Sequence, residues 1–515
     1  MASLVTNPGT LRTEAVAGPN ENKTIISMWI DAITTEVSNG NVKTVDGLTG
    51  PTISARLYSM IGTAAYEAWQ STEENNKSSV GANDLAVRGA DQSFVEDLIS
   101  STILKVASSE HSGITAEGKQ NLEVFASKLK ASDSFFDAWI GKLSDTISDK
   151  VIDQYKNDGY DRASGYTPSN TLENVIDIEL WTPEFNASDD ATTGRQQYLT
   201  PQWGDVRPFA IPKKDLASIT SLADTPEPFL IDKNDSYDLG AGTLTDASTG
   251  QVLEINASLI GSHINPNFIN QANKVIEFSQ GLTSTTQGNI NKGTAEFWED
   301  GGGTPFPPGT WLVIGQALSL EEGYDLEQDA KLFQGLGASV HAAAISAWDL
   351  KLQENYARPV RTIRELSKLG LLTDVDPNTE GSQFRAFDRD TGNVDIISGV
   401  DFETYQLPGG GYSPPFAEYT SGHSTFSSAS AEFISVFADS NEFPWDIKFE
   451  LTFPYGDGEG QPVVLKYETL REAAEAAGNS RLHGGIHFED GNNNGLLVGQ
   501  IIGANVFEYL SSFWG

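Results

Sequence analysis

From Asn22 to about Gln154, apolar residues recur at intervals of three and four positions: in TIISMWIDAITTEV, in ISARLYSMIGTAAYEAW after Pro51, in SFVEDLISSTILKVAS and in DAWIGKLSDTISDKVIDQY. That spacing places the apolar side chains on one face of a 3.6-residue turn, so each segment is predicted as an amphipathic helix. Pro51 suits a first helical position, where a missing N–H costs nothing. Between about Asp158 and Asp300 the pattern loosens into Asn, Asp, Thr, Gly and Pro, which predicts long loops with short helices plus one helix over NFINQANKVIEFSQGL. A loop of unusual composition, FWEDGGGTPFPPGTW, spans Phe297 to Trp311. Helical periodicity then returns in KLFQGLGASVHAAAISAWDLKLQENYA, breaks at Pro359, and resumes in HSTFSSASAEFISVFA and TLREAAEAAGNSRL. LLVGQIIGANVFEYLSSFW reads as a last, largely buried helix. Alternating strand patterns are confined to VLEINASL and to KFELTF with PVVLKY, so the fold class is mainly α, without internal repeats. The same pattern divides the chain into an N-terminal helical region over 1–157, a loop-rich middle over 158–300 and a C-terminal helical region over 301–515, all in one compact unit.

Charge changes the picture by exclusion. With 33 basic and 71 acidic side chains the formal charge is −38, so nucleic acid and anionic membranes would be repelled. No run approaches eighteen apolar residues, and the first twenty residues lack a basic and an apolar stretch; the expectation is a soluble protein without a transmembrane segment or classical signal peptide, cytoplasmic or exported by another route. The absence of Cys removes disulfides, thiolate chemistry and Cys-ligated metals, and with 3 Met it leaves little oxidisable sulfur. Drift in an acidic proteome and tolerance of a self-made oxidant both account for that scarcity.

Against this acidic background Lys351, Arg358, Arg361 and Arg364 fall within fourteen positions. Lys351 and Arg358 are seven apart, which predicts that both project from one face of the helix ended by Pro359; Arg361 and Arg364 read as solvated or ion-paired. Second, Thr420-Ser421-Gly422-His423 precedes a helical run, placing a hydroxyl, a bare backbone N–H and an imidazole at a helix N-terminus, where an anion is favoured; an N-cap Ser beside a buried His is the plainer reading. Third, in Ser480-Arg481-Leu482-His483-Gly484-Gly485-Ile486-His487 the Gly pair permits a turn that brings Arg481 and His487 to one point.

The ordered set Lys351-x6-Arg358-Pro359, Ser421-Gly422-His423 and Ser480-Arg481-x5-His487 resembles the three-part signature of the vanadium-dependent haloperoxidases and the related acid phosphatases. Trp348, the loop Trp298-Glu299-Asp300 with Pro307-Pro308-Gly309-Thr310-Trp311, and ARLYSMIGTAAYEAW extend the likeness towards the bacterial haloperoxidases. The resemblance implies two four-helix bundles packed together with long loops, the cofactor vanadate lying in the C-terminal one, and no haem, flavin or nicotinamide. It implies that His487 is the protein ligand to vanadium and that Lys351, Arg358, Arg481, the Ser421 hydroxyl and the Gly422 N–H hold the vanadate oxygens. His423 would be the acid–base group, Lys351 would polarise peroxide, and Asp300 would orient Arg481. Trp348 and Phe416 occupy positions where chloroperoxidases of the family carry aromatics, which implies a halide or substrate pocket.

The implied reaction oxidises halide (bromide, with chloride and iodide as further candidates) with hydrogen peroxide to hypohalous acid, which halogenates an organic acceptor; a homo-oligomer is compatible with it. Two alternatives share the pocket: an acid phosphatase with His487 as nucleophile and His423 as general acid, and a non-catalytic oxyanion binder. The sequence departs from the family after the last His, where Glu489 and Asp490 stand at two and three residues instead of an Asp at four. The run Asp490-Gly491-Asn492-Asn493-Asn494-Gly495 reads as a turn in preference to a calcium loop, because Ile501 takes its twelfth position. His483 is either a donor to the site or an incidental loop residue; His111, His263 and His341 read as structural or solvated.

Overall fold

The N-terminal periodic segments fold as helices whose ends the local sequence explains. In a computed structural model describing residues 3–6, 23–73, 92–129, 137–184, 195–372, 382–406, 413–452 and 461–514, strand β1 (Ser3–Thr6) precedes α1 (Ile25–Ser38), α2 (Pro51–Gln70), α3 (Gln92–Ser108), α4 (Ala116–Leu129) and α5 (Asp137–Tyr155). Thr24 caps α1 by accepting from the Ser27 N–H, and Pro51 opens α2. Helix α4 was not visible as a periodic run: only Gly118 and Leu122 are buried along it, so it carries almost no apolar stripe.

The middle holds α6 (Lys213–Thr220), a small antiparallel sheet of β2 (Ser236–Asp238), β3 (Thr243–Thr245) and β4 (Val252–Glu254), then α7 (Pro266–Gln280) and α8 (Thr286–Phe297). Helix α9 (Phe306–Glu322) begins inside the expected 297–311 loop, because Pro307 and Pro308 fill first-turn positions that need no N–H donor. Helix α10 (Leu326–Glu354) starts on a reciprocal capping box between Asp325 and Gln328. It stops at Asn355, which is left-handed at φ 45°, and Pro359 opens α11 (Pro359–Lys368) instead of ending α10. Lys351 and Arg358 therefore do not share a helix face: one lies in the last turn of α10 and the other at the N-cap of α11.

A hairpin of β5 (Gln383–Asp388) and β6 (Asn393–Ser398) follows, then α12 (Gly422–Ala438), β7 (Asp446–Glu450), β8 (Pro462–Leu465), α13 (Leu470–His483) and α14 (Glu489–Ser511). Strand β7 pairs parallel with β1 and antiparallel with β8, Ile447 opposite Leu465. The Asp490–Gly495 run is the first turns of α14, neither an isolated turn nor a cation loop. Its Gly495, Gly499 and Gly503 form a stripe against α12; a Cβ on Gly499 would stand 2.4 Å from the Thr425 carbonyl oxygen, so only Gly allows this approach.

Helices α2 and α10 pack along each other, as do α12 and α14. One apolar cluster runs from α1 through α10 to α14 and includes Trp29, Trp311, Phe333, Trp348 and Phe433; a second, around α7, α11 and β5, includes Phe268, Tyr356, Tyr419 and Phe488. Trp348 and Tyr356 are close along the chain, one in α10 and one just beyond its end, yet belong to different clusters, so the segment 348–358 sits where the two meet. Among the described residues no helix is long and apolar enough to cross a membrane.

Candidate functional site: an oxyanion cradle

Four segments converge at that seam: the end of α10 and the turn into α11, residues 416–423 leading into α12, the junction of α13 and α14, and the loop from Trp298 to Pro305. Lys351 is fully buried, and its Nζ donates to the carbonyls of Ala417 (2.9 Å) and Glu418 (2.8 Å). Arg358 donates to the carbonyls of Phe416 (2.9 Å), Ile486 (2.8 Å) and Ala417 (3.2 Å), and its Nη1 lies 3.0 Å from His487 Nε2. Arg481, in the last turn of α13, donates through Nη1 to the carbonyls of Trp298 (2.8 Å) and Glu299 (3.3 Å), while its buried Nε has no partner. The Gly484–Gly485 turn, with Gly485 at φ 77°, carries the chain from Arg481 to His487. Lys351, Arg358, Arg481, His423 and His487 are thus brought together.

Ser421 caps α12 by accepting from the Ser424 N–H at 3.3 Å, and its own N–H donates to the Gly491 carbonyl at 2.8 Å. Gly422 is the first residue of the helix, so its N–H belongs to the unpaired first turn. His423 is half-buried, its Nε2 3.2 Å from the Glu299 carbonyl oxygen. The loop thus serves Arg481 and His423 with one carbonyl, and the site draws on Trp298, Glu299 and Asp300 as well as on residues after 300.

Trp348 and Phe416 form the wall beside Lys351. Their rings are 4.9 Å apart, the Trp348 indole donates to the Leu199 carbonyl at 3.0 Å, and Lys351 Nζ lies 5.2 Å from the Phe416 centroid. The Arg358 guanidinium is 5.1 Å from that centroid, so a single ring faces two cations.

All three cations are at most 1% exposed, and the hydrogen bonds they make go to neutral carbonyls or to the His487 ring. Burial, then the repulsion of Arg358, holds Lys351 well below the usual ammonium range. Burial pulls Arg358 down to about 9 and Arg481 down to about 10. His423 and His487 are pushed far down as well, by burial first and then by Arg481 and Arg358 respectively, so both rings are neutral at pH 7. The groups bonded directly to this cluster are uncharged, while the buried carboxyls of Glu418, Glu299 and Asp300 act on it through space: the donor set suits a compact oxyanion. Among the described residues no three His, Cys, Asp or Glu side chains group as a metal cage.

Asp300 is buried at φ 46°, with Oδ1 accepting from Thr310 Oγ1 at 2.7 Å and Oδ2 unpartnered. It acts on Arg481 through space without a hydrogen bond, and burial raises its carboxyl to about 7. The groups that touch Arg481 are the two preceding carbonyls.

The carboxylate at His487 is neither Glu489 nor Asp490 but Glu418, which the motif reading missed. Its Oε1 lies 2.6 Å from His487 Nδ1 and accepts from the Phe488 N–H at 3.0 Å. Glu489 and Asp490 instead open α14. The available signal was a lone acid in an apolar and aromatic stretch, Phe416-Ala417-Glu418-Tyr419, three residues before Ser421. Arg361 stands apart, buried in ion pairs with Glu184 (2.8 Å) and Glu365 (3.2 Å); Arg364 donates to the Phe402 carbonyl. His483 packs edge-on against Phe278 and lies outside the cradle, and His263 pairs with Asp235 at 3.0 Å.

Residues 331–515 match the family model of the VCPO second helical-bundle domain. No curated protein matches the chain. Among solved structures, a holo-type bacterial vanadium-dependent chloroperoxidase aligns with a TM-score of 0.63 at 15% identity, over 98% of this chain and 95% of that one. The apo-type bacterial chloroperoxidase aligns at 0.64 and 16%, over 90% and 95%, and a bacterial vanadium-dependent iodoperoxidase at 0.59 and 16%, over 94% and 96%. The C-terminal part of the chain is thus similar to the VCPO second helical-bundle domain, and the chain shares the overall fold of bacterial vanadium-dependent haloperoxidases.

Proposed function

We propose that the protein is a vanadate-dependent haloperoxidase that uses hydrogen peroxide to oxidise a halide, releasing hypohalous acid to halogenate an organic acceptor. The observation that carries this reading is the set of three buried cations with neutral partners converging on His487 Nε2, 3.0 Å from Arg358 Nη1. The residues fit vanadate: an orphaned Arg481 Nε, an unpaired helix N-terminus at Gly422 and a neutral imidazole are donors for a tetrahedral oxyanion and a ligand for its metal. When bound, vanadate supplies a Lewis-acidic centre that accepts peroxide without changing oxidation state.

Within that reading His487 is the ligand through Nε2, and Lys351, Arg358 and Arg481, with the Ser421 hydroxyl and the Gly422 N–H, hold the oxyanion charge before reaction begins. His423, neutral at pH 7, takes the proton released by peroxide. Lys351 contributes the positive charge that polarises peroxide, and Trp348 with Phe416 excludes water on its halide side. Asp300 supports the field at Arg481. Bromide, chloride and iodide are all candidate halides.

The test is halide-dependent bromination of a phenolic dye by the apoprotein with peroxide, with and without orthovanadate, phosphate being added as competitor. Activity that requires vanadate and is suppressed by phosphate supports the reading. Absence of halogenation together with hydrolysis of p-nitrophenyl phosphate replaces it with the phosphatase. His487→Ala should abolish the vanadate-dependent activity while the protein remains folded by circular dichroism.

A further inference from the structure

A neutral histidine has one N–H and one lone pair, and which nitrogen carries which is set by the partner of the other. His487 Nδ1 faces the Glu418 carboxylate at 2.6 Å, and the same oxygen already accepts from the Phe488 N–H. His487 Nε2 faces only the donor Arg358. The ring therefore keeps its proton on Nδ1 and turns its lone pair into the cradle.

We propose that Glu418 is the positioning residue of the site: it holds His487 as the Nδ1–H tautomer with Nε2 as the ligating end. Three further features give Glu418 this role in preference to incidental packing. Its own carbonyl accepts from Lys351 Nζ at 2.8 Å, and the adjacent Ala417 carbonyl accepts from both Lys351 and Arg358, so the backbone bearing the carboxylate is gripped by two of the three cations. Its N–H donates to the Tyr356 carbonyl at 2.9 Å, anchoring the segment to the turn between α10 and α11. Room for the carboxylate is made by Gly491, where a Cβ would stand 2.3 Å from Oε1, and the Gly491 carbonyl in turn receives the Ser421 N–H. Through its side chain Glu418 meets the ligand His, through its backbone carbonyl the lysine, and across Gly491 it neighbours the α12 N-terminus.

The ligating part of this inference rests on the vanadate reading; the tautomer does not, and the experiment separates them. The probe is long-range 1H–15N NMR of the apoprotein for the His487 tautomer, paired with titration of orthovanadate and of phosphate into wild type, Glu418→Leu and Glu418→Gln. Expected are a single Nδ1–H tautomer in wild type and a mixture of tautomers in Glu418→Leu. Oxyanion affinity should fall roughly 10- to 100-fold in Glu418→Leu, with Glu418→Gln in between because it keeps one acceptor oxygen. An Nε2–H tautomer in wild type overturns the proposal, and so does a Leu variant that keeps both tautomer and affinity. If Glu418→Leu does not fold, Glu418→Gln, close in volume, decides by the same two readouts. Wild type that binds neither oxyanion defeats the haloperoxidase reading, while the tautomer measurement still decides the role of Glu418.

Discussion

Arg56 in the N-terminal helices and the Lys351, Arg358 and Arg481 cluster at the α12–α14 end are equally buried, yet they are satisfied in opposite ways. Arg56 donates to Asp158 at 2.7 Å, to the carbonyls of His111 and Tyr155 at 2.6 and 3.0 Å, and lies 3.9 Å from the centroid of Tyr160. Its counter-ion is built into the fold. The three C-terminal cations have carbonyls, an imidazole and an orphaned Nε instead. A buried cation bonded directly to its own carboxylate is a structural element; buried cations bonded only to uncharged groups, with carboxyls acting from a distance, hold charge in reserve for something that arrives later. The two regions therefore separate stability from binding within one chain.

The largest effect should come from breaking the paired cation. Arg56→Leu leaves Asp158 buried with its partner removed and should cost about 3–5 kcal/mol of stability, read by urea denaturation. A loss below about 1 kcal/mol would erase the distinction between the regions. Next in size is the response to an oxyanion. Orthovanadate at about a hundred times its Kd should stabilise the wild type by about 2.7 kcal/mol in the same assay, since only the folded cradle binds it. An Arg56 variant that still folds should keep this gain, because its cation has no part in the cradle. Lys351→Met removes a reserve charge but leaves the Glu418 carbonyl without its donor: its stability without ligand should fall by about 1–3 kcal/mol, less than for Arg56→Leu, and the vanadate gain should vanish. Destabilisation of Lys351→Met without any ligand as large as that of Arg56→Leu would show that the cradle is structural after all.

Much of this contrast was legible in the chain, and the failures have physical causes. The motif residues Lys351, Arg358, Ser421, Gly422, His423, Arg481 and His487 could be picked out because basic residues are scarce in a −38 protein and because the three motifs stand in order at distinctive spacings. Their convergence needed the structure. Asn355 at φ 45° ends α10 four residues before Pro359, so the two-turn spacing of Lys351 and Arg358 reflects two helices meeting in place of one face. Glu418 escaped because a carboxylate for His487 was sought after the His along the chain, whereas packing supplied it from 69 residues earlier. Helix α4, with two buried residues, has no stripe to detect. Arg56 was hidden for the opposite reason: it sits in one of the clearest helical runs, and nothing local shows that Asp158, 102 positions on, will meet it.

Per unit step of the variable changed, the smallest effect concerns a third kind of buried group, one that stays uncharged. His341 on α10 has both ring nitrogens buried without partners, 6.0 Å from the Tyr155 ring that Arg56 also faces. Burial first, then the Arg56 charge, pushes it down to about 3 from the ordinary 6.5. Between those two values the unfolded chain binds a proton at this position and the folded chain does not. The unfolded state then holds more protons, so stability rises with pH across this window and falls as the solution is acidified from about 6.5 towards 3. One proton sets the limit, at most about 1.4 kcal/mol per pH unit, and other carboxylates and imidazoles add their own slopes. Comparing His341→Leu with wild type cancels those common terms. Because neither ring nitrogen makes a hydrogen bond, the substitution breaks none, and the difference in stability between the two proteins should grow in the variant's favour from pH 6.5 downward. Parallel stability curves from pH 4 to 7 would mean that His341 is protonated in the folded protein, and that Arg56 and Asp158 together leave room for a second positive charge.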